Sequence, residues 1–333
     1  MEFPWRITLD TNPDDCNLHC LMCEQHSKYA LKYQGKPRRM SLEMLQTILE
    51  QAKVLGVKEI IPSTMGEPLL FKHFEFLLES CKKSDFRLNL TTNGTFPKHG
   101  PVLWAEKLLP VCSDIKISVN GISTQIQEAI MQGSKAEKTW SNITQFVSAR
   151  NCSASEDQTR CTITLQLTFL QMNMEELVPV LKKAIELGIN RIKGHHLWTH
   201  FEEIKTLSMR RSSESIRQWN EVVGQMNRIA EQKRLKNGSR ITLTNFHYLN
   251  PDHPEELLEN SRCPFLGKEL WINHEGKYSP CCAPDNLRRQ LGDFGNLQQK
   301  SIQNMWESKQ YRTLVSDYQK QKLCQTCNMK VPK

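Results

Sequence analysis

The stretch WRITLDTNPDDCNLHCLMC (residues 5–23) joins a strand-like run to three closely spaced cysteines. The run WRITLDT (5–11) predicts a β-strand, because apolar residues alternate with polar ones along it. Cys16, Cys20 and Cys23 follow in the pattern Cys-x3-Cys-x2-Cys. Three is an odd number, so disulfides alone do not explain them, and their polar neighbours argue against a buried apolar segment. The pattern therefore predicts metal ligation.

Three thiolates are compatible with two kinds of metal site. In a four-iron, four-sulfur cluster they would hold three corners and leave the fourth iron open to a small molecule. A tetrahedral zinc ion would need a further ligand, which His19 or His26 could supply. The spacing by itself leaves both alternatives open.

The composition is that of a globular protein. The chain has 333 residues, of which 38% are hydrophobic and 24% charged, and this length predicts one large domain and one smaller one. No apolar run is long enough to span a bilayer, and the N-terminal stretch MEFPWRITLD does not resemble a signal peptide. We therefore expect a cytoplasmic protein without a membrane partner, whose twelve cysteines are metal ligands or buried thiols.

The chain carries a net charge of +8, with basic clusters at 36–39, 209–213 and 231–240. Such a surplus could attract an anionic partner. The clusters lack the interleaved aromatic residues of a single-stranded nucleic-acid platform. We expect them to be solvated helix faces and loops, and we expect no nucleic-acid partner.

Strand-like and helix-like segments alternate as far as residue 196. Six repeats of this kind predict an α/β fold with a parallel sheet, whose ligands bind at the carboxyl ends of the strands. Periodicity does not decide between an open sheet and a closed barrel. Strands are predicted at 5–11, 58–63, 86–92, 113–120, 160–170 and 190–196, and helices at 41–56, 71–83, 102–109, 123–131, 137–149 and 174–188.

The pattern changes after His200. A long amphipathic helix (213–234), a possible seventh strand (240–249) and a polar, Pro-rich linker (250–256) precede a second group of cysteines. We place a domain boundary near residue 255. The predicted domains are 1–212, the β/α domain; 213–255, a bridging helix and strand; and 256–333, a small C-terminal α+β domain.

The triplet Cys16, Cys20 and Cys23, placed after a first strand, resembles the signature of radical S-adenosylmethionine (SAM) enzymes. The resemblance implies a partial (β/α)6 TIM-type barrel and a [4Fe–4S] cluster whose open iron binds SAM. In that family one electron cleaves SAM into methionine and a 5′-deoxyadenosyl radical, which abstracts a hydrogen atom from the substrate. An electron donor such as flavodoxin or ferredoxin is implied as a partner.

Short motifs after the next strands are similar to other segments of the family. TMGEPLL (64–70) resembles the Gly-Gly-Glu-Pro segment that receives the SAM ammonium group, with Met65 in place of the first glycine. TTNG (91–94) and SVNG (118–121) resemble the segments that follow the third and fourth strands. The SAM-binding residues implied by the resemblance are Met22, beside the adenine, and Gly66, Glu67, Pro68, Asn93, Ser118 and Asn120.

The sixth strand departs from the family pattern. NRIKGHHLW (190–198) has no glutamate where Gly-x-Ile-x-Gly-x-x-Glu is common, so that adenine contact is left unassigned. His195, His196 and His200 are expected at the functional edge of the sheet. A histidine there could accept a proton from a substrate radical, bind substrate, or only line the wall. We take His195 and His196 as catalytic candidates.

The second group of cysteines surrounds an apparent hairpin. CPFLGKELWINHEGKYSPCC (263–282) has its turn at HEGK (274–277). A helix is predicted at 301–315, and LCQTC (323–327) adds a Cys-x-x-Cys pair. This arrangement resembles the SPASM/twitch extension of many radical SAM enzymes, in the shorter twitch form with one auxiliary [4Fe–4S] cluster for structure or electron transfer. A zinc ribbon is the alternative. The implied ligands are Cys263, Cys281, Cys324 and Cys327.

Cys282 is surplus to that set and could be a buried thiol, a substitute ligand or a hydrogen donor, which makes it the third catalytic candidate. Cys81 lies on an apolar helix stripe and is expected in the core. Cys112, Cys152 and Cys161 are expected at the edge away from the chemistry.

Relatives with such extensions commonly modify ribosomally synthesised peptides, so the resemblance implies a peptide substrate that undergoes epimerisation, cross-linking or desaturation. The basic surface would suit an acidic leader peptide, and we expect no separate N-terminal leader-binding module. The single auxiliary cluster also resembles the inosamine dehydrogenase of butirosin biosynthesis, which implies oxidation of an aminocyclitol or sugar alcohol as an alternative. A non-catalytic, metal-stabilised binding protein is the third hypothesis.

Overall fold

The computed structural model describes residues 2–62, 65–152, 161–252, 261–327 and 329–332. The chain divides into two compact units. The first unit comprises Met1–Cys16, Tyr33–Leu90 and Leu257–Lys333, and the second unit comprises Asn17–Lys32 and Thr91–Glu256. The three-domain division drawn from the sequence stays a prediction.

The first unit is built on five strands in the order β10-β9-β1-β2-β3. Strands β9, β1, β2 and β3 are parallel, and β10 closes a hairpin with β9. The strands are β1 (Arg6–Asp10), β2 (Glu59–Ile61), β3 (Arg87–Thr92, of which the first four residues belong here), β9 (Glu269–Asn273) and β10 (Tyr278–Ser279).

Alternation along these strands separates an apolar face from a polar one. Ile7 and Leu9 of β1 are fully buried, as are their counterparts on the neighbouring strands. On the other face Arg6 Nε donates to Glu59 Oε1 at 2.5 Å, and Thr8 Oγ1 donates to Glu269 Oε1 at 2.5 Å. One cation is thus shared by two buried carboxylates, and removing Arg6 would take a charge partner from both.

Helix α1 (Leu42–Val54) and helix α2 (Phe74–Lys83) follow β1 and β2. The side chain of Ser41 caps α1 by accepting from the Met44 N–H at 3.1 Å, and Gly56 beyond its end has a φ of +72°. The helix predicted at 41–56 is thus confirmed with slightly narrower bounds. The helix predicted at 71–83 begins three residues late, after a 3₁₀ turn at Pro68–Leu70.

The C-terminal part of the first unit is assembled from short elements. Strand β8 (Ser261–Arg262) pairs antiparallel with β11 (Val331–Pro332). The predicted hairpin is confirmed, with Gly276 at a φ of +79° in its turn. The helices are α8 (Asp285–Arg288), α9 (Ile302–Trp306), α10 (Lys309–Asp317) and α11 (Lys322–Gln325).

The second unit holds four parallel strands in the order β4-β5-β6-β7. Their apolar residues, such as Ile115, Leu165 and Ile192, are fully buried, whereas Lys116, Gln166 and their neighbours form a polar face. The elements are β4 (Cys112–Ser118), β5 (Thr162–Phe169), β6 (Arg191–His196), β7 (Thr242–Thr244), α3 (Gly100–Leu108), α4 (Thr124–Ile130), α5 (Ala136–Cys152), α6 (Leu177–Leu187) and α7 (Ser213–Gln232).

The predicted α/β class with consecutive parallel strands is confirmed, and within the described residues the strands of neither unit close into a barrel. Within the described residues, β10 pairs only with β9 and β7 only with β6. The predicted seventh strand is real but short. The linker predicted at 250–256 extends beyond the described residues after position 252. In the described part of the chain, helices are too short or too polar to cross a membrane.

Candidate metal centres

Five cysteines line one cavity in the C-terminal part of the first unit. The rest of its wall is largely apolar and includes Phe265, Leu266 and Leu323. The structure therefore brings the cysteines that were predicted to bind the auxiliary cluster together around one cavity. The cysteines are Cys263, Cys281, Cys282, Cys324 and Cys327.

Backbone N–H groups point at these sulfurs. The Leu266 N–H donates to Cys263 Sγ at 3.5 Å, and the Met329 N–H donates to Cys327 Sγ at 3.4 Å. The Tyr318 hydroxyl accepts from the Cys263 N–H at 3.2 Å and orders the first ligand loop. Hydrogen bonds to sulfur of this kind stabilise thiolates and tune iron–sulfur clusters.

Most of the cysteine thiols in this cavity have raised pKa values and are therefore hard to ionise. Burial, reinforced by the neighbouring cysteine sulfurs, raises the pKa of Cys281 to about 12 and that of Cys324 to about 11. Several thiolates could share this cavity only with a cation or cluster that neutralises them. Across the described residues, no three His, Cys, Asp or Glu side chains already stand in metal-binding geometry. The donor set, however, is the soft one that iron–sulfur clusters and zinc require.

Cys282 lies in the same cavity and is surrounded by charge-bearing groups. Burial raises its pKa well above the ordinary value, and the nearby Cys281, Cys327 and Glu269 raise it further. The thiol is therefore protonated at neutral pH. Its role as a hydrogen donor stays a prediction, and its position adds a fifth sulfur to the cavity.

The Gly-Glu-Pro turn packs on the segment that precedes Cys16, the last residue of the first unit's N-terminal segment. Gly66 has a φ of +75°, and a Cβ added there would lie 2.2 Å from the Asn12 carbonyl oxygen and 2.8 Å from that of Asp15. The Glu67 N–H donates to the Asp15 carbonyl at 2.7 Å, and Asn12 Nδ2 donates to the Glu67 carbonyl at 2.9 Å. Pro68 begins the 3₁₀ turn that follows, and Glu67 Oε1 accepts from the Leu69 N–H at 3.2 Å. The turn is thereby fixed to the first cysteine segment.

Two arginines hold the acidic pair before Cys16. Arg38 binds both carboxylate oxygens of Asp14 and also donates its backbone N–H to Asp14 Oδ2 at 2.7 Å. Arg39 binds Asp15 through two donors at 2.6 and 2.7 Å. The side-chain hydrogen bond to each aspartate is the main cause that raises the pKa of its arginine. The basic cluster at 36–39, expected to be solvated, is thus partly engaged in fixing the cysteine segment. No local pattern in the sequence indicated this pairing.

The other two cysteines of the triplet lie in the second unit, on a loop held by backbone hydrogen bonds. The His19 N–H donates to Gln132 O and the Leu21 N–H to Ile130 O, both at 2.8 Å. Within the loop, the His26 N–H donates to Cys23 Sγ at 3.3 Å, and burial raises the pKa of Cys23.

Cys20 and Met22 are half-buried on this loop. The Cys20 carbonyl accepts from the Cys23 N–H at 3.0 Å, which sets the spacing of the two sulfur-bearing residues. As the backbone donor to Cys23 shows, the loop can stabilise a thiolate. Cys20 and Cys23 are therefore suited to bind the iron of a cluster.

Two of the predicted SAM-binding segments have defined partners in the second unit. Asn93 Nδ2 donates to Asn17 Oδ1 at 2.8 Å, so the TTNG segment contacts the residue directly after Cys16. Asn120 is buried, and its Oδ1 accepts from the Thr168 N–H at 2.8 Å. Ser118 is the half-buried last residue of β4. The roles of these residues toward SAM stay predictions.

The two histidines that end β6 lie on opposite faces of the sheet. His195 Nδ1 lies 3.3 Å from Gln166 Nε2 on the polar face, where burial and the charge of Lys193 lower its pKa to about 4. His196 packs against Phe169 and Trp219, and its Nδ1 is buried without a hydrogen-bond partner. Burial lowers its pKa to about 3. Of the two candidates, His195 has the polar surroundings that proton transfer needs.

Comparison with known proteins identifies both parts of the chain. Residues 13–153 match the radical SAM superfamily, and residues 263–328 match the SPASM family, an iron–sulfur cluster-binding domain. A protein of Pyrococcus furiosus, the tungsten-containing aldehyde ferredoxin oxidoreductase cofactor-modifying protein, is 23% identical over 319 aligned positions, and the match covers 89% of this chain and 79% of that one.

Three solved structures have a similar fold. SuiB of Streptococcus suis bound to its precursor peptide SuiA has a TM-score of 0.69 at 17% identity, over 99% of this chain and 70% of that chain. The enzyme anSMEcpe with bound AdoMet gives 0.66 at 16%, over 98% and 85%. BtrN in complex with AdoMet and 2-DOIA gives 0.52 at 16%, over 98% and 94%.

Radical SAM domains bind a [4Fe–4S] cluster and SAM, and SPASM domains bind auxiliary iron–sulfur clusters. Both cysteine groups described above fall inside the matched ranges. The chain therefore carries a radical SAM domain followed by an iron–sulfur cluster-binding domain of the SPASM family.

Proposed function

We propose that the protein reductively cleaves SAM and uses the 5′-deoxyadenosyl radical to abstract a hydrogen atom from a ribosomally synthesised peptide. The observation that carries the proposal is the packing of the Gly66–Glu67 turn on the Asp15 carbonyl, directly before Cys16. This packing joins the two sequence motifs that the family uses for the cluster and for SAM.

Each part of the chain has a definite task in this proposal. Cys16, Cys20 and Cys23 would hold the cluster, which supplies one electron to SAM when bound. The backbone of the Gly66–Glu67 turn would receive the SAM ammonium, and its fixed φ keeps that backbone in position. His195, neutral near pH 7, could take a proton from an oxidised substrate.

The choice of a peptide substrate rests on fold relatives and charge. SuiB has been solved with its precursor peptide, and anSMEcpe with the peptide Cp18Cys. The net charge of +8 complements an acidic leader. Epimerisation, cross-linking and desaturation all begin with hydrogen abstraction. A reduced flavodoxin or ferredoxin of the cytoplasm would supply the electron.

Anaerobic reconstitution tests the proposal. Purified protein with iron, sulfide, SAM and dithionite should form 5′-deoxyadenosine, measured by liquid chromatography and mass spectrometry. Replacing Cys16, Cys20 or Cys23 by Ala should abolish it, while Cys152→Ala, at the exposed end of α5, should not. Product formation without the triplet would refute the assignment. Absence of product in the intact protein would favour the non-catalytic, metal-stabilised binding protein.

Oxidation of an aminocyclitol or sugar alcohol is the second candidate. It is favoured by the likeness to BtrN, which spans 94% of that chain, and by a cavity with cysteines for one auxiliary cluster. If the substrate is a peptide, 2-DOIA that is incubated with the reconstituted protein should not be oxidised. Its oxidation, with stoichiometric 5′-deoxyadenosine, would replace the peptide proposal.

A further inference from the structure

Two tyrosine hydroxyls hold the ligand loop, which runs from Cys263 to Gly267 and carries the first predicted ligand of the auxiliary cluster. The Cys263 N–H donates to the Tyr318 hydroxyl, and the Gly267 N–H donates to the Tyr311 hydroxyl, both at 3.2 Å. Within the loop, the Leu266 N–H donates to Cys263 Sγ at 3.5 Å. Both ends of the ligand loop are therefore bound by a phenol oxygen, while the loop's own backbone binds its sulfur.

The two tyrosines come from one stretch of chain in the first unit. Tyr311 lies on α10, and Tyr318 directly follows that helix. The Tyr311 ring is fully buried, with the ring centres of Trp306 and Phe294 at 4.8 and 6.0 Å. Tyr318 lines the cysteine cavity itself. Packing of the ring therefore fixes the first hydroxyl, and the second belongs to the residues of the cavity wall.

Each of these two hydroxyls has a hydrogen left to donate. A phenol accepts through its oxygen and donates through its one O–H, and here both oxygens serve as acceptors. In the part of the chain that the structure describes, no protein oxygen accepts a hydrogen bond from Tyr311 or Tyr318. Tyr278 differs, because its hydroxyl donates to the Lys300 carbonyl at 2.7 Å. The hydrogens of the other two phenols are therefore available to the sulfurs of the cavity.

Cysteine sulfurs lie close to both phenols. Burial raises the pKa of the Tyr311 hydroxyl, and the nearby Cys263 and Cys281 raise it further. Tyr318 shares the wall of the cavity with the same two cysteines. The sulfurs of a bound cluster carry negative charge and accept hydrogen bonds. They are therefore suitable acceptors for the two O–H groups.

We propose that the hydroxyls of Tyr311 and Tyr318 donate to sulfurs of the auxiliary cluster and thereby raise its reduction potential. Such a hydrogen bond stabilises the reduced cluster more than the oxidised one, because reduction adds negative charge to the sulfurs. Each hydrogen stays on its oxygen in both oxidation states. The two tyrosines are thus positioning residues that act through the ligand loop and the cluster. This role belongs to the first unit, and it is the same for a peptide and for an aminocyclitol substrate.

Redox titration of the auxiliary cluster tests this role. The full chain, with its N-terminal cysteine triplet changed to Ala, is reconstituted and titrated with dithionite, and electron paramagnetic resonance measures the reduced cluster. At a given potential, Tyr311→Phe/Tyr318→Phe should lower the ratio of reduced to oxidised cluster about tenfold, which is about 59 mV for one electron. Tyr278→Phe is the matched control. It should leave the potential unchanged, because the hydroxyl that it removes is bound to a backbone carbonyl.

A fluorinated tyrosine separates hydrogen donation from support of the loop. Replacing Tyr318 by 3-fluorotyrosine keeps the hydroxyl but makes its O–H a stronger donor, so the potential should rise instead of falling. An unchanged potential in Tyr311→Phe/Tyr318→Phe, or an equal shift in Tyr278→Phe, would overturn the proposed role. If the double variant does not hold iron, an unchanged potential in the fluorinated protein would overturn it equally. Zinc in place of iron at this site would also do so.

Formation of 5′-deoxyadenosine by the chain with its triplet intact is a separate measurement. A shifted potential in a protein that forms no 5′-deoxyadenosine would uphold the role of the tyrosines, although the proposed function would fail. Formation of 5′-deoxyadenosine without a shifted potential would overturn the role of the tyrosines and leave the proposed function in place.

Discussion

At the residue scale, Gly66 has both a restricted conformation and no space for a side chain. We predict that Gly66→Ala lowers the iron content and abolishes SAM binding, because the new Cβ would collide with two carbonyl oxygens of the segment before Cys16. Gly56→Ala is the matched control: Gly56 has a similar φ of +72° but no atom within 4 Å of an added Cβ. It should cost only about 1–2 kcal/mol of folding free energy. Iron assays, SAM titration and thermal melts distinguish the two, and equal effects would contradict the packing argument.

The lowered pKa of His196 leads us to predict that the stability of the protein depends on pH. Its pKa is about 3 in the folded protein and near 6.5 when unfolded, so the unfolded state binds the extra proton first as pH falls. The contribution of His196 to stability should therefore be constant above pH 6.5 and decrease from there toward pH 3. His196→Phe, which suits the surrounding aromatic cluster, should flatten the fall in melting temperature of the apoprotein between pH 7 and 5. His19→Asn, on an exposed loop, should not; a slope unchanged in His196→Phe would refute this cause.

Sequence alone could locate these residues but not their surroundings. The Gly-Glu-Pro motif pointed to Gly66, yet its contact with Asn12 joins positions 54 residues apart and depends on tertiary folding. The adjacent histidines were treated alike, although strand alternation puts neighbours on opposite faces. Because the strand predicted at 190–196 already included both histidines, that rule could have separated His195 from His196 on the sequence alone.

At the element scale, the segment that contains Arg38 and Arg39 holds Asp14 and Asp15 in position through two ion pairs. We predict that Arg38→Gln destabilises the protein by about 1–2 kcal/mol, because it removes a bidentate pair and the packing of the guanidinium 4.5 Å above the Tyr33 ring. Arg39→Gln should cost less than about 0.5 kcal/mol, since its pair is half exposed and screened by salt. Urea unfolding of the apoproteins measures the free energy of unfolding of both variants. Equal losses would show that the greater burial of the Arg38–Asp14 pair does not contribute to stability.

Helix and strand positions were largely predictable because they depend on local patterns. The helix predicted at 301–315 was wrong in one respect: it is two helices, each begun by a serine cap. Ser308 accepts from the Tyr311 N–H at 3.3 Å and starts α10 where a continuous helix was expected. Pairing of β9 with β1 could not be predicted, because their registers match residues more than 260 positions apart.

At the scale of the whole molecule, the C-terminal hairpin is part of the sheet that contains β1. We predict that a chain ending at residue 256 will be insoluble, because β1 loses the pairing of all five residues with β9 and Arg6 loses Glu269. The control is the full chain with Cys263, Cys281, Cys324 and Cys327 changed to Ser, which keeps β9 and should stay soluble without its cluster. Soluble expression and sedimentation measure both. Aggregation of the serine variant alone would assign the effect to metal instead.

The metal content of the intact protein is a further test at this scale. Two [4Fe–4S] clusters require about eight iron atoms per chain. The serine variant of the C-terminal cysteines should retain half of that iron and still bind SAM. Zinc in place of half the iron would make the second centre a zinc site.

The register between β1 and β9 also constrains how the protein is made. On the ribosome, the first strand emerges long before its neighbour, and residues 6–10 must wait for residues 269–273 to be translated. Until then the backbone groups along one edge of β1 have no partner strand. Asp14, Asp15 and Cys16 therefore follow a strand whose sheet is still incomplete. Delivery of iron and sulfide to the first loop is therefore expected only after residues 269–273 have been translated and have paired with residues 6–10.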